Sequence, residues 1–296
     1  MPEGPSIIIL KEAVQLFKGK KVLSAAGNTT ALDKETLVNQ KIIDFKSWGK
    51  HFLICLPTIT LRIHFLLWGS YSINEQTKKN PRLHLHFNNG DLYLYSCSIK
   101  ILEEEPDQVY DWSGDVLNNT WDEKKARRKL KAQPDQLVCD ALLDQNIFAG
   151  VGNIIKNEVL FRIRVHPESI IKLLPPRKLT ELIREARIYS FDFLEWKKAF
   201  VLRKHWLVHT KKICPRCNIP IIKQHLGKTN RRTFYCENCQ VLYAEALAKA
   251  GRTLARTKPP AGGEGGRNAA TLNRKAKSKY LKVKKSSKKK VRNHSL

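Results

Sequence analysis

The 296-residue sequence lacks an uninterrupted apolar run long enough to cross a bilayer. Its most apolar stretch, FLICLPTITLRIHFLLWG, is broken by Pro57, Arg62 and His64, whereas a spanning helix needs about 20 consecutive apolar residues. The N-terminus also lacks the basic segment, apolar core and small-residue cleavage site of a secretory signal. These absences lead us to expect a soluble, intracellular protein, which in a bacterial cell would mean the cytoplasm or nucleoid, with no membrane partner. No internal repeat is visible, which excludes a repeat array. Cysteine is sparse and unevenly placed. Four of the seven form two close pairs, while Cys55, Cys97 and Cys139 are scattered, a pattern that favours a metal site over a disulfide framework.

Acidic residues are the other shortage. Asp and Glu number 27 against 54 Lys and Arg, a net charge of +27 with a pI near 9.9. Such a chain suits a polyanion such as nucleic acid. Residues 246–296 hold 16 of the basic residues and one acid, Glu264, so the preceding part keeps 38 against 26, or +12. The body is basic even without its tail. That tail, with KPPAGGEGGRNAA followed by KAKSKYLKVKKSSKKKVR, has linker and polybasic composition, too charged and too poor in aromatics to pack.

Hydrophobic periodicity divides the remainder. Ile7, Leu10, Val14 and Phe17 share one helical face, and Gly19 follows as a stop. From about Lys21 to Ile101 the pattern is strand-like. RLHLHF and LYLYS alternate around NNGD and predict a hairpin, and several such runs suggest a β-sandwich or barrel. His84 and His86 share one strand face at a spacing open to metal, although solvent-facing strand residues read the same way. From Trp121 to about Trp206 the period becomes helical, with DEKKARRKLKA, DQLVCDALLDQ, NIIKNEVLFRI and RKLTELIREARIY as the expected helices.

CPRC and CENC supply Cys214, Cys217, Cys236 and Cys239, two CxxC pairs separated by 18 residues. Four thiolates at that spacing close a tetrahedral zinc site, and so short a loop has too little core to fold without one. The intervening residues alternate into two strands around GKTN, a zinc-ribbon hairpin whose tip carries Lys228, Arg231 and Arg232. One structural Zn2+ is expected. Redox-active thiol pairs or an iron centre would leave the hairpin pattern unexplained.

Two shorter stretches invite a functional reading. In AGVGN, Gly150 and Gly152 allow a tight backbone and Asn153 starts a helix, whose free amides favour phosphate. An ordinary interhelical turn with an Asn cap fits the same letters. At the start, MPEGP sets two prolines and a glycine around a carboxylate, more specification than a bare terminus usually carries.

Taken together, MPEGP, SWGKHF near residue 50, AGVGNIIKNEVLF and CPRC…RRTFYCENCQ resemble the formamidopyrimidine-DNA glycosylase and endonuclease VIII family over residues 1 to about 240. The resemblance implies an α+β multidomain fold: an N-terminal helix and β-sandwich domain (1–120), a helix-two-turns-helix DNA-binding domain (121–208), a four-cysteine zinc hairpin (209–241) and a basic tail (242–296). It further implies a monomer that binds damaged double-stranded DNA in the cleft between lobes. The implied activity is that of a bifunctional DNA glycosylase and AP lyase of base excision repair. Once Met1 is removed, Pro2 would be the nucleophile. Glu3 would be its acid partner, and Lys50 the cation and proton donor beside it. Asn153 and Arg231 match phosphate-binding positions, with Arg231 also assisting the second elimination. Leu66, Leu67 and Trp68 match the region that fills the gap left by an everted base.

MPEGP resembles the endonuclease VIII branch more than the formamidopyrimidine branch, which implies oxidised pyrimidines as lesions. Ser6, where a glutamate is common, and Asp111, at a position that often holds a DNA-contacting arginine, depart from the pattern. They leave open a lesion-binding homologue without catalysis. A generic zinc-ribbon nucleic-acid-binding protein is the remaining alternative.

Overall fold

The structure, a computed structural model, describes residues 2–244. The expected basic tail falls almost wholly on residues 245–296, which lie outside the described residues. Its first three positions are packed instead: Leu242 and Ala244 are buried, and Tyr243 accepts from the Ile170 amide and donates to Ser169 Oγ.

Helix α1 (Gly4–Ala13) opens with Pro5 in its first turn, where proline's fixed φ fits and its missing N–H costs nothing. It tightens into a 3-10 turn over Val14–Phe17 and stops at Gly19, at φ +78°. Ile7, Leu10, Val14 and Phe17 are each at most 1% exposed, and Phe17 stacks on Phe87 at 4.4 Å. Burial of each such side chain stabilises by about 1.5–3 kcal/mol, which fastens the N-terminus to the sheet.

Six strands follow: β1 (Ser24–Ala26), β2 (Asp44–Trp48), β3 (His51–Cys55), β4 (Thr60–Ile73), β5 (Leu83–Phe87) and β6 (Gly90–Leu102). They pair antiparallel in the order β1-β5-β6-β4-β3-β2. The pairing is one continuous order, yet side chains from both of its halves bury a single core, from Phe45 and Phe52 at one side to Leu85 and Phe87 at the other. That shared core is what makes the arrangement a sandwich. β5 and β6 form the expected hairpin, with Phe87 opposite Gly90. Strands β4 and β6 lose register between Phe65 and Ser70, where Leu66–Gly69 face the single residue Ser96. This bulge pushes Leu66, Leu67 and Trp68 out of the sheet.

The helical part holds α2 (Pro106–Val109), α3 (Glu123–Lys131), α4 (Val138–Ala141), α5 (Asn153–Arg162) and α6 (Pro176–Lys198). Asp122 caps α3 by accepting from the Lys124 and Lys125 amides. Helix α4 is far shorter than DQLVCDALLDQ suggests, because the Asp144 carbonyl takes the Ile147 and Phe148 amides and turns the chain. Helix α6 is longer than expected, since its apolar spacing persists through Phe193 and Leu194. It packs on α5 and α1, and Lys198 pairs with Glu12 at 2.9 Å, tying the two lobes together.

The last unit is the hairpin β7 (Ile222–Leu226) and β8 (Arg231–Tyr235). Its tip docks on the helical part: Lys228 N–H donates to both oxygens of the buried Asp140 carboxylate, at 2.9 and 3.1 Å.

Candidate active site

Three glycines bring distant segments together. The Gly4 amide donates to Gly150 O at 2.9 Å, and a Cβ at Gly4 would lie 2.8 Å from Gly150 Cα. Gly49, at φ +55°, approaches so closely that its Cβ would stand 2.9 Å from the Gly150 amide nitrogen. Its own amide donates to the buried Asp115 carboxylate at 2.8 Å. Only residues without side chains permit backbone to touch backbone here. The contact sets Glu3, Lys50 and the start of α5 side by side.

Glu3 is 2% exposed, and its carboxylate accepts from the Ile154 amide at 2.7 Å and the Ile155 amide at 3.2 Å. Two of the free amides at this helix start, those of Ile154 and Ile155, are therefore taken within the chain by Glu3. Burial raises the Glu3 pKa above the usual carboxylate value, against the opposing pull of Lys50 and these two amides. Lys50, in the turn between β2 and β3, shifts down, first because of its burial and then through Arg231, while Glu3 resists. Both shifts move the pair toward protonation states suited to proton transfer.

Asn153 is the first residue of α5, with Gly152 in the cap position. Its side chain turns to the hairpin, donating to Arg232 O at 2.8 Å, and its buried Oδ1 has no hydrogen-bond partner among the described residues. Arg231 is exposed at the tip, opposite Leu226.

A cleft of about 1010 Å³ opens between the lobes, lined by Pro2, Leu67 and Trp68 together with Ser6 and Ile154. Leu66 is half exposed on the same bulge but stands outside that lining. Asp111 is held by Lys125 at 2.8 Å and Lys129 at 3.1 Å, which keeps its carboxyl well below the ordinary range. Its charge serves the contact with α3. His84 and His86 both meet Asp91 Oδ1, at 2.7 and 2.9 Å, so they form a local hydrogen-bonded pair on the strand.

Sequence reasoning missed Lys156. It is 1% exposed, its Nζ donates to Thr233 Oγ1 at 2.7 Å, and burial draws its pKa down to about 8. Thr233 in turn donates to Arg231 O at 3.1 Å. The signal was the spacing: Asn153, Lys156 and Asn157 fall on one face of α5, the face that docks β8.

The four paired cysteines converge. Their sulfurs lie within 4.8 Å of one another, with Cys214–Cys239 at 3.6 Å and Cys217–Cys236 at 3.3 Å. Tetrahedral zinc with Zn–S bonds of about 2.3 Å sets its sulfurs about 3.8 Å apart, so the cluster fits that ion.

Family models for the formamidopyrimidine-DNA glycosylase N-terminal domain and H2TH domain match residues 1–97 and 113–188, together more than half of the chain. The chain belongs to the formamidopyrimidine-DNA glycosylase and endonuclease VIII family. It is 28% identical to endonuclease 8-like 3 of Xenopus laevis over 222 residues, which cover 70% of this chain and 36% of that protein. With endonuclease 8-like 2 of Bos taurus the identity is 33% over 196 residues, 61% of this chain and 58% of the relative. The chain thus spans a third to somewhat over half of the length of these relatives. Among solved structures, a Lactococcus lactis formamidopyrimidine-DNA glycosylase bound non-covalently to DNA with an AP site superposes with a TM-score of 0.72. That match has 20% identity and covers 80% of this chain and 99% of the other. A viral DNA glycosylase gives 0.71 at 21% identity, over 81% and 100%. At such identities the likeness establishes the fold: helix and sandwich, helix-two-turns-helix region and C-terminal hairpin. No helix among the described residues is long and apolar enough to cross a membrane.

Proposed function

We infer that this family member is a bifunctional DNA glycosylase and AP lyase of base excision repair, acting on oxidised bases, pyrimidines foremost, in damaged double-stranded DNA. The observation that carries the reading is the Glu3 carboxylate, gripped by two amides from a helix some 150 residues away while its neighbour Pro2 faces the cleft. A terminus with no chemical task has little use for such a hold.

Removal of Met1 gives Pro2 a secondary amine. Attack of that nitrogen on sugar C1′ forms an N–C1′ bond as the glycosidic bond breaks, the amine gives up its proton, and the C1′–O4′ bond then opens, so that the departing base and the ring oxygen each take a proton, with Glu3 as the donor within reach. The raised pKa of Glu3 suits the donor role. The product is an iminium cation, because a secondary amine has no second proton to lose. It withdraws electrons from C2′, so loss of that proton expels the 3′ phosphate, and a second elimination releases the 5′ phosphate. Lys50, whose charge acts on Glu3 next to Pro2 in the chain, would as a cation favour the amine's neutral, nucleophilic form. Arg231 and Asn153 serve the phosphates and the placement of the hairpin that carries Arg231. The four cysteines hold one structural zinc, which offers no open position for chemistry.

Borohydride trapping on an oligonucleotide with an abasic site tests this reading. The processed chain should give a covalent adduct that maps to its N-terminal peptide, and a form with one extra residue ahead of Pro2 should give none. An adduct mapped elsewhere, or its absence from the processed chain, would remove Pro2 from the reaction.

A further inference from the structure

Beyond Lys198 at the end of α6, the chain passes through Phe200 at φ +58°. That place, just past a helix C-cap, is where glycine enters the left-handed region freely and a bulky side chain is strained. No packing offsets the strain, because Phe200 is 96% exposed. An exposed aromatic held in an unfavourable conformation is a reason to look for a ligand.

Phe200 lines the cleft from its helical wall, and Trp68, 78% exposed on the β4 bulge, lines it from the sheet wall. Pro2 lines the same cleft, as do Lys197, Lys198, Arg203 and Lys204. Among the described residues, Lys198 is paired with Glu12, and no carboxylate pairs with Lys197, Arg203 or Lys204. Two bare aromatic faces among unneutralised cations match the chemistry of a nucleic acid strand with an unstacked base: rings take the base, ammonium and guanidinium groups take the phosphates. An intact duplex turns no base face outward, and an apolar protein partner would have no use for the cations.

We propose that Phe200 is a stacking residue for an unstacked nucleobase, working from the wall opposite Trp68, and so helps to select DNA whose bases have been freed from the helix. This deepens the glycosylase reading and rests on it. The ring and the base are the two corners of a double-mutant cycle. Short single-stranded oligodeoxynucleotides, intact or with one base at a time replaced by tetrahydrofuran, are titrated against the full chain and against Phe200→Gly and Phe200→Ala. Phe200→Gly should melt no lower than the parent, since glycine accepts the left-handed turn. It should bind the intact strand about tenfold more weakly, and at one base position the loss from omitting the base should vanish in the variant. Phe200→Ala should show the same coupling, which separates the ring from the backbone. Unchanged affinity, or losses that add at every position, overturns the proposal. Trapping of the parent chain on an abasic strand is scored separately. Adduct without coupling removes the stacking role and keeps the glycosylase reading, and coupling without adduct does the reverse.

Discussion

The Glu3 carboxylate occupies the space that a side chain at Gly152 would need: a Cβ there would lie 2.3 Å from Glu3 Cδ. Gly152 has an extended backbone that any residue adopts, φ −120° and ψ −163°, so space alone demands the glycine. Gly152→Ala should fold, because the end of a glutamate side chain can swing away, but it should leave the Ile154 and Ile155 amides without their acceptor at a cost of about 1–3 kcal/mol. Base excision should fall with it as steeply as in Glu3→Gln, while trapping on a preformed abasic site, which needs the amine but no departing base, should fall less. Equal losses in both assays would mean that Glu3 holds the terminus in place and nothing more.

Acid should destabilise the protein through two histidines. Burial, followed by the charges of Arg62, His64 and Lys50, brings the His51 pKa to about 4, and burial followed by Lys156 and Arg232 does the same for His209. An unfolded histidine titrates near 6.5, so between about pH 6.5 and 4 the unfolded chain binds the extra protons. Stability should be full above that window and decline as pH falls through it, by at most about 3 kcal/mol per histidine and less after solvent screening. Urea unfolding across the window measures this slope. His51→Gln should flatten it, and a slope equal to the parent's would show that His51 is not the group responsible.

Chelation should act on DNA binding through the hairpin. With the cysteines freed of metal, β7 and β8 lose the constraint that a core this small cannot supply. Arg231 and Arg232 then lose their fixed positions beside α5. One zinc per chain is expected by elemental analysis. Prolonged treatment with a strong chelator, or Cys217→Ser, should release it together with amide protection of β7 and β8 and with affinity for abasic DNA. Loss of metal with affinity retained would separate the hairpin from DNA contact.

Features written in adjacent letters were legible from the sequence. The α1 face, the β5–β6 hairpin and the cysteine hairpin each follow from a local period or spacing, and the sandwich follows from several such strands. The N-terminal motif pointed to Glu3, but not to the amides that hold it. AGVGN advertised helix amides, and nothing in those five letters says that a carboxylate from residue 3 already fills them. A glycine announces that something comes close without naming it, so the meeting of Gly4, Gly49 and Gly150 appears only in three dimensions. Lys156 was hidden for a related reason: a lysine in NIIKNEVLF reads as solvated until β8 covers it. Phe200 carries no sequence signal at all, since its strain lies in a backbone angle.

Lys156 offers the last test, because its burial and its charge pull in different directions. Lys156→Met fills similar volume and removes the desolvated ammonium, while Thr233 keeps its hydrogen bond to Arg231 O. Global stability near neutral pH should therefore change by only about 1 kcal/mol, a lost charged hydrogen bond offset by relief from burying a cation. The electrostatic consequence is directional. Glu3 draws the Lys156 pKa upward, so by reciprocity Lys156 favours the Glu3 anion, and its removal should raise the Glu3 pKa further. If Glu3 is the proton donor, excision declines as pH rises through that pKa, and in Lys156→Met the alkaline limb of the pH profile should move to higher pH. A limb that stays in place while stability is unchanged would assign the decline to another group, with Lys50 the next to examine because burial and Arg231 already depress its pKa.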